Sequence, residues 1–127
     1  MTDDNAHFIP DEGHVVYTDF DPSAGHEQQG KRPAVVLSKQ AFNKSGMMIC
    51  VPMTTKIRNM GWEVPITSLK DDRPSVALAN QVQTMDLNAR GAELVGRITL
   101  DELYRIRYIA RTFCGFVPAG YQLPKRG

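Results

Sequence analysis

The hydrophobic and polar positions of this chain change period once, near residue 98, and the change separates two kinds of predicted element. Before it, "HVVYTDF" (residues 14–20) alternates and is rich in β-branched and aromatic side chains, and "PAVVLS" (33–38) is a short apolar run opening on Pro33; both patterns predict strands. "GMMICVPMTT" (46–55) predicts a third strand. Pro52 has no N–H to give a ladder, so that point is expected at a sheet edge or a bulge. "GWEVPIT" (61–67) alternates again, and "SVALANQVQTMD" (75–86) reads as one continuous β-rich run after the turn-like "KDDRP". Five short strands separated by polar turns predict a small barrel.

After the change, "TLDELYRIRYIARTFCG" (99–115) has helical spacing. Thr99 and Glu102 are placed as a capping box, Leu103, Ile106, Ala110 and Phe113 mark an apolar stripe, and Gly115 is a stop. The fold class expected is therefore mainly β with helices (α+β): a small barrel with a C-terminal helix. Residues 1–127 are read as a single domain with its core at about 13–115; residues 1–12 and 116–127 are expected to be loose tails.

Composition narrows the partners. A hydrophobic content of 42% is enough for one core, and 15 Lys+Arg against 14 Asp+Glu leave a net charge of only +1. No global field draws the molecule to a polyanion, so any such site must be a local patch. The chain nowhere reaches the roughly 18 consecutive apolar residues of a membrane span, so a soluble, cytoplasmic protein without membrane contact is expected. Cys50 and Cys114 are expected to be buried small hydrophobes. His7, His14 and His26 have no metal-ligand spacing, so no metal or other cofactor is expected. Arg105, Arg107 and Arg111 are expected on a solvated helix face, with Asp101 and Arg105 as an i,i+4 pair.

One loop stands out. Between Gly25 and Pro33 the chain carries His26, Glu27, Gln28, Gln29, Lys31 and Arg32. A charged loop is most often just a solvated one, yet these groups also fit RNA cleavage by the ribose 2′-hydroxyl. That reaction needs a base, an acid and a cation at the phosphoryl oxygens. Glu27 or His26 can serve as base, and His26 titrates close to neutral pH and suits the acid. Arg32 presents a fork of donors matched to phosphate but is too basic to be an acid. Thr54 or Thr55, ending the third strand, can donate a hydroxyl to the same phosphate. The Gln28 and Gln29 amides can read unstacked base edges, while Lys31, Lys44, Lys56 and Arg58 are candidate phosphate contacts.

The run "GHVVYTDFDPSAGHEQQGKRPAVVLS", followed by "CVPMTT", "VALANQV" and "ARG", resembles the MazF/PemK family of toxin endoribonucleases from toxin–antitoxin systems, over residues 13–115. The resemblance implies an SH3-like, PemK/CcdB-like barrel assembled as a homodimer. It implies metal-free cutting of single-stranded mRNA at short specific sequences, leaving 2′,3′-cyclic phosphate and 5′-hydroxyl ends. A cognate MazE-like antitoxin would silence the enzyme by placing a disordered tail in the RNA groove. Residue by residue, it assigns catalysis to Arg32 and Thr54, helped by Glu27 or His26. PemK-like members carry an arginine and an aspartate where this chain has Leu78 and Asn80, so the MazF-type use of Arg32 and Thr54 is preferred; Asn80 and Gln81 remain expected RNA contacts. The rival reading is a non-catalytic, CcdB-like toxin that binds DNA gyrase, and a further one is an RNA-binding chain with weakened catalysis.

Overall fold

The structure, a computed structural model, describes residues 8–21, 30–70 and 73–125. In chain order the elements are β1 (His14–Asp19), β2 (Lys31–Val36), α1 (Gln40–Asn43), β3 (Met47–Thr54), β4 (Glu63–Ile66), β5 (Ser75–Leu78), β6 (Gln83–Asp86), α2 (Leu87–Arg90), β7 (Glu93–Arg97) and α3 (Leu100–Cys114). The strands form one curled antiparallel sheet in the order β4-β5-β3-β2-β1-β7, with β6 also on β3. With α3 laid against it, this is the expected α+β architecture: a half-barrel and a C-terminal helix.

Strands β2 and β3 are near-continuous apolar runs because both faces of the sheet are covered. On one face Val35, Val51 and Met53 pack with Leu103 and Ile106 of α3. On the other, Ala34, Val36, Met48 and Cys50 pack with Val16, Phe20 and Met85. Burial pushes the Cys50 thiol up to about 12, so it is an inert apolar filler.

Several expectations are corrected. Among the described residues there are seven strands: "SVALANQVQTMD" breaks into β5 and β6, which turn to different stretches of β3. Pro52 is not at a sheet edge, since β3 is central and Pro52 pairs with Ala34 of β2. On its other flank β3 pairs with β6 through Cys50 and with β5 from Met53, so Pro52 sits at the junction where the partner changes and a missing N–H costs little. The capping box of α3 is formed as read, but Phe113 is mostly exposed and meets Trp62 edge-on at 6.4 Å. Arg105 pairs with Asp101, whereas Arg107 leaves the solvated face to donate to Glu12 Oε1 at 2.7 Å and to the Leu37 carbonyl at 2.6 Å. Cys114 is exposed.

The stretch ahead of β1 is pinned. Pro10 is buried, its carbonyl accepts from Asn43 Nδ2 at 2.8 Å, and the Ile9 carbonyl accepts from Gln40 Nε2. Among the described residues no helix is long and apolar enough to cross a membrane.

Candidate functional site

The two ends of the half-barrel, β4 and β7, are bridged by side chains. After β4 the chain turns across the opening, and Leu69 packs against Gly96 of β7 so closely that a Cβ there would lie 3.0 Å from Leu69 Cδ2. Glycine leaves room for that approach, and a Cβ there would have to push the end of the Leu69 side chain aside. The turn is clamped from α3: the Glu102 carboxylate accepts from Thr67 N at 2.8 Å, Ser68 Oγ at 2.5 Å and Thr99 N at 3.0 Å. Burial alone would raise this carboxyl, but the hydrogen bonds from Ser68, Thr67 and Thr99 outweigh it and hold Glu102 below its ordinary value.

The bridge encloses one side of a groove of about 700 Å³. Its floor comes from Arg32 and Pro33 on β2 and from Met53 and Thr54 on β3, and its far wall from Ser68 to Lys70 and from β7. The β2–β3 register pairs Ala34 with Pro52; carried two residues further, it sets Arg32 level with Thr54. Thr54 is buried and its Oγ1 accepts from Lys56 N at 3.1 Å, leaving the hydroxyl hydrogen to donate. Thr55 Oγ1 accepts from Arg73 Nη2.

Among the described residues six cations line this groove, Lys31, Arg32, Lys56, Arg58, Lys70 and Arg97, and no carboxylate does. In a chain with net charge +1 such a concentration is a local positive patch, the form to which composition confines any polyanion site.

Of the residues singled out from sequence, Arg32, Thr54, Lys31, Thr55, Lys56 and Arg58 are brought together here. Asn80 and Gln81 lie in the turn between β5 and β6, outside the lining. Leu78 is buried in β5, and Lys44 caps α1 away from the groove. His26, Glu27, Gln28 and Gln29 fall outside the described residues. The base of their loop is nonetheless defined: Phe20 N donates to the Gly30 carbonyl at 3.0 Å and Gly30 N to Asp21 Oδ1 at 2.9 Å. The described residues on either side of it, Asp21 and Gly30, therefore lie close to Lys31. Lys70 and Arg97 were missed. Arg97 becomes visible only through the pairing of β7 with β1, and no short motif marks Lys70.

A family model described as PemK-like, MazF-like toxin of type II toxin–antitoxin system matches residues 11–113. "Endoribonuclease toxin MazF" of Escherichia coli (strain K12) is 44% identical over 101 residues, covering 79% of this chain and 89% of that one. The crystal structure of MazF from Deinococcus radiodurans superposes with a TM-score of 0.81 at 34% identity, covering 87% of this chain and all of the other. A MazE–MazF crystal structure from the same organism gives 0.76 at 34%, with the same coverage. Since the family match spans the whole half-barrel, the groove and nearly all of α3, the chain belongs to the PemK-like, MazF-like toxins of type II toxin–antitoxin systems.

Proposed function

We propose that the protein is an endoribonuclease toxin that cleaves single-stranded mRNA at short specific sequences in this groove. The observation that carries the reading is the meeting of Arg32 and Thr54 in a groove with six cations and no carboxylate, in a chain whose relative at 44% identity is an endoribonuclease. Phosphate oxygens are the ligands such a surface accommodates.

In this reading the scissile phosphate lies over Arg32, whose guanidinium takes up the charge that builds on its oxygens, while the Thr54 hydroxyl donates to the same group. The ribose 2′-hydroxyl attacks. A base from the adjoining loop, Glu27 or His26, removes its proton, and the 5′-oxygen leaves protonated by His26 or solvent. The products are a 2′,3′-cyclic phosphate and a 5′-hydroxyl, and no step calls on a metal. Gln28, Gln29, Lys31, Thr55, Lys56 and Arg58 hold neighbouring nucleotides; Asn80 and Gln81 meet RNA extending past the groove. Regulation is by a cognate MazE-like antitoxin occupying the same surface, a reading supported by the Deinococcus MazE–MazF complex. The working form is a homodimer.

The test is incubation of the purified protein, freed of antitoxin, with a long unstructured RNA in EDTA, followed by sequencing and chemical typing of the new ends. Discrete cuts with cyclic-phosphate termini, absent for Arg32→Ala, are expected. Intact RNA would overturn the reading and make gyrase binding the next assay.

A further inference from the structure

We infer that Arg97, beside His14 on the groove wall, is a substrate-binding residue that contacts the RNA backbone at a phosphate other than the one held by Arg32. This rests on the reading of the groove as an RNA site. Arg97 ends β7 and lines the groove wall opposite β2. Its Nη2 lies 2.8 Å from His14 Nε2 on the neighbouring strand, while His14 Nδ1 lies 2.9 Å from the backbone N–H of Asp11.

Both ring nitrogens thus face donors, an arrangement that disfavours an imidazolium. Burial first, and Arg97 second, hold the His14 pKa below its ordinary value despite the opposing pull of Asp11. A neutral ring has one lone pair, and the Asp11 N–H occupies it at Nδ1, so His14 packs beside the guanidinium without accepting from it or neutralising it. The other groups around the ring do not cancel the charge: Phe8 is an aromatic neighbour at 5.9 Å, and Asp11 Oδ1 already accepts from the N–H groups of Glu12 and Gln40.

The position argues for a separate phosphate. On β1, Arg32 is opposite Thr18 and Arg97 is opposite His14, four residues apart, with β1 lying between the two strands. At about 3.4 Å per residue and about 4.8 Å between strands, the two arginines stand on the order of 16 Å apart along the sheet. A strand of RNA running from floor to far wall would meet them in succession.

The experiment measures binding of the full chain to an uncleavable 2′-O-methyl RNA as a function of salt. Each phosphate neutralised contributes about 0.7 to the slope of log affinity against log salt for single strands. Arg97→Ala is expected to weaken binding roughly three- to tenfold for all sequences and to lower the slope by about 0.7, with Arg97→Lys keeping the slope. Replacing single phosphates by neutral methylphosphonates should reveal one linkage whose loss no longer matters in Arg97→Ala, distinct from the linkage silenced in Arg32→Ala. An unchanged slope in Arg97→Ala, or a shared linkage, would overturn the inference while leaving the RNA site intact. Salt-independent or undetectable binding by the unmodified protein would instead sink the RNA reading itself.

Discussion

The floor of the groove and the wall facing it carry the same charge but are held by different means. Arg32 and Thr54 project from β2 and β3, whose neighbouring residues Ala34, Val35, Val51 and Met53 are buried on one face of the sheet or the other. A shift of register there would carry side chains fitted to one core into the other, so the floor is fixed by packing on both faces. The wall formed by Ser68, Leu69 and Lys70 has no strand partner: it hangs on the Glu102 carboxylate and on the contact of Leu69 with Gly96. Chemistry that needs exact placement belongs on the floor, whereas the wall can yield to different bases or to an antitoxin segment.

The largest expected effect separates charge from structure on the floor. Arg32→Ala should lower kcat/KM by on the order of 10²–10³ while the melting transition stays within about 0.5 kcal/mol of the parent; turnover kinetics and calorimetry check the two halves. An active Arg32→Ala protein would remove the floor from the mechanism.

Next comes the wall. Glu102→Ala leaves the N–H groups of Thr67 and Thr99 and the Ser68 hydroxyl without their acceptor and breaks the capping box, so a loss of about 2 kcal/mol is expected. KM should rise more than kcat falls. The pH dependence has a definite sign: because the native carboxyl lies below its ordinary value, its contribution is complete above the unfolded pKa and is lost as pH drops through the native one. Glu102→Gln should therefore flatten the acid limb of a stability–pH curve, and an unaltered limb would argue against the clamp.

A smaller effect is expected for Thr54→Ala, roughly tenfold in kcat, the loss of about one hydrogen bond to a charged group. Wild-type rates would leave Thr54 as packing alone. The mildest change is Gly96→Ala, which pushes Leu69 aside at a cost below about 1 kcal/mol. It should alter which RNA sequences are cut more than how fast they are cut, as sequencing of the products would reveal.

The same contrast describes what the sequence revealed. Floor residues were legible because their motifs are contiguous: "GKRPAVVLS" and "CVPMTT" hold Arg32 and Thr54 at short range. Thr99 and Glu102 announced the start of α3 correctly, but the second task of Glu102, 34 and 35 residues away at Ser68 and Thr67, depends on the folded chain. Strand β7 escaped notice because Leu94 and Val95 are both exposed, so "ELVGR" lacks the alternation of a half-buried strand. With β7 unread, Arg97 had no place in the site. Arg107 was read as a surface charge because its partners, Glu12 and the Leu37 carbonyl, are 95 and 70 residues distant.

Six positive charges gathered among the described residues of the groove also bear on the stability of the fold. Like charges set this close repel one another, and that repulsion works against the compact state. Any anion that settles there relieves the strain and binds the native state alone, raising its resistance to heat with occupancy. The toxin should be most fragile when it is free to act and most durable when substrate, inhibitor or simple phosphate fills the groove.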